Sequence, residues 1–591
     1  MAPDKPVYRK LRAFAFDPGT TARLDTTMVN EVVIKVPWEE LARGPKGEYV
    51  EVIDQDAQGR QLHEPVDLND PAILAGGGLP PSDGNPQFRQ QMLYAVAMRT
   101  IAAFEKALGR KAHWPPVNGQ YQRRIKLYPH YMEDSNAYYL PQDGALFFGY
   151  FQAKAHTQYP GMVVFTCLSQ DVIAHELAHP LLNGMHPHLL EETNPDVYAF
   201  HEGFCDLVAL LQQFTLPEVL RHQLARSRGE LTGPDTLLGI VAPQFGVGIG
   251  FRSGLRSVLG EIGEDGVWRQ KPPDPQEYRT VKETHQRGSI LVRAVFDALN
   301  KVYHSRVADL WRIASEGTGV LQEGYLHPDL VNRLAVEAAR TAQVVLEICV
   351  RALDYCPAVD ITFSDYLRAI LTADFDLHPG DPLAYRVAFV EAFRRYGIFP
   401  ADIGTLSLEG LLWPRPESGA EEQVVREFIL KELALEYTSW NLPKDREELY
   451  HVMQEKAKKL EEDLKARRKS LKGLLGEINP ARNFEVKSIW PRQHSGPNGE
   501  TFSQWVIEIV QTINKGAEKS PHLASCTLLV NAETGLVRYS IHKATSPGAA
   551  RSKRSLLERS SQVTVPKPRE RKLRVYSFDP SLSIQVDTAP I

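Results

Sequence analysis

Residues 171–182 read DVIAHELAHPLL, and the reading of the whole chain turns on His175-Glu176-Leu177-Ala178-His179 within them. Four residues make about one helical turn, so in a helix His175 and His179 project from one face, where two imidazoles can share one metal ion. Glu176 then stands beside the ion's open position, the arrangement of a catalytic Zn²⁺ site. Such a site takes a third protein ligand. AFHEGFCDLVAL begins at Ala199 and puts Glu202 on the next candidate helix, which makes Glu202 the third ligand. Asp206 follows four residues on, on the same helical face, suited to accept the free N–H of a ligating imidazole, that of His175. Both carboxylates stand among Phe200, Phe204, Leu207 and Val208, where an unpaired charge is costly, so a surface pair is the poorer reading.

In this order the motifs resemble those of the thermolysin-like metallopeptidases, of the gluzincin group defined by HExxH and a downstream Glu. The resemblance covers roughly residues 87–400. It implies an α+β fold of two lobes, β-rich then helical, with the active site between them. It also implies one catalytic zinc and endopeptidase cleavage of a polypeptide substrate, with Glu176 as general base. Asn136-Ala137-Tyr138-Tyr139, followed by ALFFGY, occupies the place of the family segment that holds substrate backbone, which implies a substrate-binding role for Asn136, Ala137 and Tyr139. His285 in THQRGSILVRAVFDAL looks like the family histidine that hydrogen-bonds the oxyanion, and takes the catalytic role of transition-state stabiliser by that resemblance.

The chain departs from the pattern at several points. Thr193 stands where the family has a tyrosine that helps hold the oxyanion, and Tyr198 is the nearby candidate helper. Pro180 removes one helical hydrogen bond, which predicts a kink or an early end to the metal helix. Asp171 matches a family calcium ligand by spacing, but Gln213 stands near the place of the second carboxylate. Calcium is therefore not expected, and Asp171 reads as a helix N-cap. The rival class is a catalytically silent, zinc-containing binding or scaffold protein using the same cleft. Its usual mark is loss of the Glu in HExxH or of the downstream His, and both residues are present.

At 591 residues the chain exceeds one hydrophobic core, and about 150 residues per domain predicts two to four domains. With 43% hydrophobic and 24% charged residues, disordered and fibrous classes fall away. A net charge of -5 argues against a chain built to bind nucleic acid or anionic membrane. Five cysteines without a CxxC pair fit a reducing compartment. No apolar run approaches the roughly 20 residues of a membrane-spanning helix, and the start has no apolar signal core, so a cytoplasmic location and an intracellular substrate are expected.

Composition divides the chain into an N-terminal β region and linker (1–86), the peptidase core (87–412), a charged helical segment (421–477), a C-terminal β region (483–545) and a basic linker with a terminal strand (546–591). Met453, Ala457, Leu460, Leu464, Leu471 and Leu474 recur at heptad-like steps. They predict either a helical hairpin folded onto its own domain or a short coiled coil joining a homodimer through 449–475. The basic residues of 551–574 read as a solvated linker, since no aromatic residues interleave them to stack on bases. AETG in the C-terminal region is a hairpin signal. His186 and His188 flank Pro187 and read as surface histidines, and Cys205 as a buried packing residue or a redox-sensitive neighbour of the site.

One repeat stands outside the resemblance. RKLRAFAFDPGTTARLDT at 9–26 recurs as RKLRVYSFDPSLSIQVDT at 571–588. Each copy reads as a strand, an Asp-Pro turn and a second strand. The pair predicts either a duplicated hairpin or a last strand that adds to an exposed sheet edge, in cis or in trans, near the cleft.

Overall fold

The computed structural model describes residues 6–545, apart from 22–25, 28, 158–159, 234–237, 239, 242, 250–255, 263–267, 401–402, 404–406, 417–421, 434–443, 469–470, 472, 496–500 and 515–521, together with residues 576–577. Helices and strands are mixed along the chain, an α+β arrangement.

β1 (Tyr8–Phe14) and β2 (Glu31–Pro37) pair antiparallel, with Leu11 opposite Ile34 and Ala13 opposite Val32. Their side chains alternate between the core and solvent, as a pleated strand requires. Between them α1 (Pro18–Thr21) is a single helical turn, and the Thr20 N–H donates to Asp17 Oδ1 at 3.1 Å. The Asp-Pro step therefore starts a helix, because Asp caps a helix and Pro suits its first position; among the described residues of this copy no second strand follows, and 22–25 lie outside them.

β3 (Val50–Val52) runs parallel to β4 (Ile125–Glu133), although α2 (Pro71–Ala75) and α3 (Pro86–Leu108) separate them in sequence. Asn85 caps α3, Pro86 opens it and Gly109, at φ +65°, closes it. β4 is followed by β5 (Ala137–Leu140) and β6 (Ala145–Gln152), and β7 (Val163–Phe165) pairs with β6. The sheet order is β5-β6-β4-β3. Helices then dominate: α4 (Gln170–Met185), α5 (Pro195–Phe214), α6 (Pro217–Arg226), α7 (Pro243–Ile249), α8 (Glu277–Thr280), α9 (Thr284–Ala314), α10 (Pro328–Arg351), α11 (Phe363–Leu377), α12 (Tyr385–Arg395) and α13 (Leu408–Leu411). Two ribbons interrupt them, β8 (Ile240–Val241) with β9 (Arg256–Ser257) and β10 (Gly260–Ile262) with β11 (Trp268–Gln270). No helix among the described residues is long and apolar enough to cross a membrane.

One hydrophobic core takes residues from Leu11 to Trp413 together with Val506, Leu529, Tyr539 and Ile541 of the C-terminal region, so residues before 87 share it with the helices that follow. α3 joins the parts, packing on β1, β2, β3, α4 and α10. The glycines at 76–78 pack as well as link: Gln91 Nε2 on α3 donates to Arg12 O, and Arg12 N donates to Gly77 O.

A second core lies under α14 (Glu422–Phe428) and α15 (Arg446–Ala466), which cover the antiparallel meander β12 (Glu485–Ser495), β13 (Thr501–Asn514), β14 (His522–Asn531) and β15 (Val537–Ala544). The AETG turn joins β14 to β15, with Asn531 Oδ1 accepting from Glu533 N and Thr534 N, and Gly535 at φ +68°. Met453, Ala457, Leu460 and Leu464 face this sheet, packed with Ile489, Trp505 and Ile507. α15 ends at Ala466, so Leu471 and Leu474 enter the same core from beyond it. The heptad stripe is thus buried within the chain, and homodimerisation through 449–475 is not carried further. The basic stretch 551–574 lies outside the described residues. β16 (Tyr576–Ser577) pairs antiparallel with β5 and completes a six-stranded sheet.

Candidate metal centre

α4 carries both histidines and continues through Pro180 to Met185, so the kink or early stop expected from that proline does not end it. The helix is buried from Gln170 to Asn183, and tertiary packing outweighs one lost hydrogen bond. Its N-cap is Ser169. Asp171 is not the cap but lies in the first turn, where the helix dipole favours a carboxylate. Asp171 Oδ1 accepts from Ser169 Oγ and Val172 N, and Oδ2 accepts from Gln213 Nε2 at 3.4 Å.

His175 Nε2 and His179 Nε2 stand 3.2 Å apart. Glu202 Oε2, from α5, lies 3.3 Å from the first and 3.9 Å from the second. Tetrahedral ligands about 2.0–2.1 Å from a zinc ion are about 3.3 Å from one another; the 3.2 and 3.3 Å separations match that spacing and the 3.9 Å one exceeds it, so the three atoms converge around one position without a full tetrahedral fit. Two imidazoles and one carboxylate also leave a fourth position open, so the residues fit a catalytic zinc. Glu176 is fully buried, and its carboxylate belongs to the same group of potential ligand atoms as His175 and His179, all within 4.8 Å. Burial alone would raise the Glu202 carboxyl, but His179, His285 and His175 hold it well below the usual carboxylate range. It is therefore ionised, as a ligand must be.

Neighbouring side chains orient the donors. Asp206 Oδ1 lies 2.9 Å from His175 Nδ1, which assigns the ring proton to Nδ1 and turns the Nε2 lone pair inward. His179 Nδ1 lies 2.9 Å from His201 Nδ1 and 3.3 Å from Cys205 Sγ, and the rings of His179 and His201 stack. Burial, opposed by Glu202, depresses His201 to about 4, so its neutral ring can accept from His179. Sequence reasoning passed over His201, whose only signal was its place beside Glu202. Cys205 is fully buried, and its sulfur faces the back of a candidate ligand.

His285 begins α9. Its Nε2 lies 3.5 Å from Glu202 Oε2 and its Nδ1 3.3 Å from Glu283 Oε1. Glu283 also caps the helix, accepting from His285 N and Gln286 N. Burial would raise the Glu283 carboxyl, and these hydrogen bonds from His285 and Gln286 hold it low. The ring of His285 is thus held between Glu283 and Glu202. Sequence reasoning missed Glu283, whose available signal was an acidic residue at a helix start. Asp196 of α5 pins the same turn of α9, receiving Arg287 Nε at 2.6 Å.

β5 is tied to the metal helix. Asn183 Nδ2, one turn beyond His179, donates to the Tyr139 hydroxyl at 3.2 Å. Ala137 and Tyr139 are fully buried, and Asn136 O accepts from Gly149 N at 2.9 Å. The Tyr198 hydroxyl donates to Leu190 O at 3.1 Å, so its proton is committed to the backbone preceding α5. His186 is no surface residue: it is buried, with Nε2 2.8 Å from Leu353 O and Nδ1 2.9 Å from Glu508 Oε1. His188 is partly buried and lies 3.0 Å from Glu191. A separate group, Asp54 with His63 and His130, is held by hydrogen bonds from both Nδ1 atoms to the one carboxylate.

No protein-family model matches this chain, and no curated protein sequence matches it.

Proposed function

We propose that this chain is a zinc-dependent metallopeptidase cleaving within polypeptide substrates, with the β3–β7 sheet and the α4–α13 helices as the two lobes of a thermolysin-like core. The observation that carries this reading is the convergence of His175 Nε2, His179 Nε2 and Glu202 Oε2 within 3.2, 3.3 and 3.9 Å of one another. When bound, zinc supplies Lewis acidity that polarises a peptide carbonyl and brings the pKa of water toward neutrality. Glu176 moves the proton, taking it from the attacking water and delivering it to the departing amide nitrogen. His285, held at Nδ1 by Glu283, donates from Nε2 to the oxygen on which charge develops. Asn136, Ala137 and Tyr139 hold the substrate backbone along β5. Tyr198 takes no part in this reading.

Purified protein incubated with a diverse peptide library tests the reading. Cleavage that stops with a zinc chelator and returns with added zinc is the expected result. Cleavage unaffected by chelation rejects the zinc mechanism, and stoichiometric zinc without any cleavage favours the silent scaffold.

A further inference from the structure

The duplicated terminal motif has no part in the proposed chemistry, yet each copy contributes a strand. In the N-terminal copy β1 pairs with β2 along its whole length, and Ala15 N beyond it still donates to Asn30 O. In the second copy Tyr576 and Ser577 occupy the positions of Phe14 and Ala15. They too are paired, Tyr576 opposite Tyr139 and Ser577 opposite Tyr138. The same positions of one motif thus join two different strands.

β5 meets β6 on its other side, so without β16 it would present a row of unpaired main-chain groups. It is also the strand beside the metal helix, which it meets through the Tyr139–Asn183 hydrogen bond one turn past His179. A peptide added to its outer edge would thus join a strand that packs on the metal helix.

We propose that the outer edge of β5 is a docking surface for an extended peptide strand, and that its resident occupant is this chain's own C-terminal repeat, residues 571–588, which withholds the edge from polypeptide substrates. What is withheld rests on the peptidase reading; the occupancy of the edge does not. Main-chain pairing asks little of side chains, so the repeat and a substrate compete for the same groups. The covalent tether gives the repeat an effective concentration on the order of millimolar, so a short and displaceable pairing still holds the edge.

Hydrogen–deuterium exchange tests this with cleavage silenced by Glu176→Gln. The full chain is compared with a chain ending at Thr545, which keeps both hydrophobic cores, and with a full chain carrying Tyr576→Pro and Ser577→Pro. In both altered chains the β5 amides that do not face β6 are expected to exchange faster, by about tenfold or more at the effective concentration of a tethered strand. A synthetic peptide of residues 571–588 should restore the protection. With Glu176 intact, the shortened chain should cleave test peptides faster, and the added repeat peptide should raise KM. Unchanged protection of β5 in both altered chains overturns the proposal. Protection that fades on dilution of the full chain assigns the edge to another chain's tail and overturns the intramolecular form. Lost protection without cleavage by any form upholds the docking and rejects the peptidase reading; unchanged protection with zinc-dependent cleavage does the reverse.

Discussion

Gly203 on α5 and Gly288 on α9 face each other where the helices cross, and a Cβ on Gly203 would sit 2.7 Å from the Gly288 carbonyl oxygen. On Gly288 it would lie 2.9 Å from Ala199 O, again a backbone atom that cannot swing aside. Glu202 precedes Gly203, and His285 lies a turn before Gly288, so this crossing fixes the 3.5 Å separation of Glu202 Oε2 and His285 Nε2. Gly288→Ala should force the helices apart and cost about 1–3 kcal/mol, the scale of overpacking a close contact. A lower Tm and a lower kcat, with zinc content little changed, are expected. A variant with wild-type Tm and rate would show that the crossing tolerates the methyl group.

Glu176 and Glu202 are both buried carboxylates at the same centre, and the proposed mechanism makes Glu202 a ligand and Glu176 the base. Metal analysis after dialysis should therefore find one zinc per chain in Glu176→Gln and none in Glu202→Ala. Peptide cleavage by Glu176→Gln should fall by about 10²- to 10⁴-fold, the contribution of a general base. Asp206→Ala, which removes the partner of His175 Nδ1, should weaken zinc affinity by about 10- to 100-fold. Zinc retained in Glu202→Ala would remove Glu202 from the ligand set.

His285 and Glu283 give a prediction that separates donating from positioning. His285→Ala should lower kcat by about 10²- to 10³-fold, the scale of losing one oxyanion donor, without loss of zinc. Glu283→Ala removes the acceptor that fixes the ring at Nδ1, so kcat should fall with zinc content little changed, and Glu283→Gln, which keeps an acceptor there, should recover part of the loss. A wild-type kcat in Glu283→Ala would leave Glu283 with only its helix-capping role.

How much of this site was readable from sequence depends on how local each relationship is. His175 and His179, and likewise Glu202 and Asp206, stand four residues apart, about one helical turn, so the helical period alone places each pair on one face. His285 came from family resemblance, because nothing in its own segment points across to α5. Where the reading fell short, the deciding contact came from elsewhere in the chain. The α15 stripe was visible, but periodicity says which face is apolar and not what covers it, and the cover is the chain's own β12–β15 sheet. Pro180 suggested a break that burial of α4 on all sides overrides. His186 looked like a loop residue beside Pro187, and only the folded chain brings Glu508 to it.

That last contact carries a pH dependence whose sign can be worked out. His186 Nε2 faces Leu353 O at 2.8 Å and Nδ1 faces Glu508 Oε1 at 2.9 Å. A neutral imidazole can donate to only one of them, whereas the imidazolium donates to both. Burial alone would depress the pKa, but Glu508, Leu353 O and Asp354 outweigh it and raise the value. The folded state therefore binds this proton more tightly than the unfolded chain. The stabilisation is complete below the unfolded value of about 6.5 and is lost as pH rises through the raised folded value. Glu508→Gln keeps an acceptor for Nδ1 but removes the charge. Its Tm should lie below wild type at about pH 6 and converge on it as pH rises through the raised folded value, where the wild type loses the same stabilisation. Two curves that stay parallel across that range would show that His186 does not hold its proton against β13.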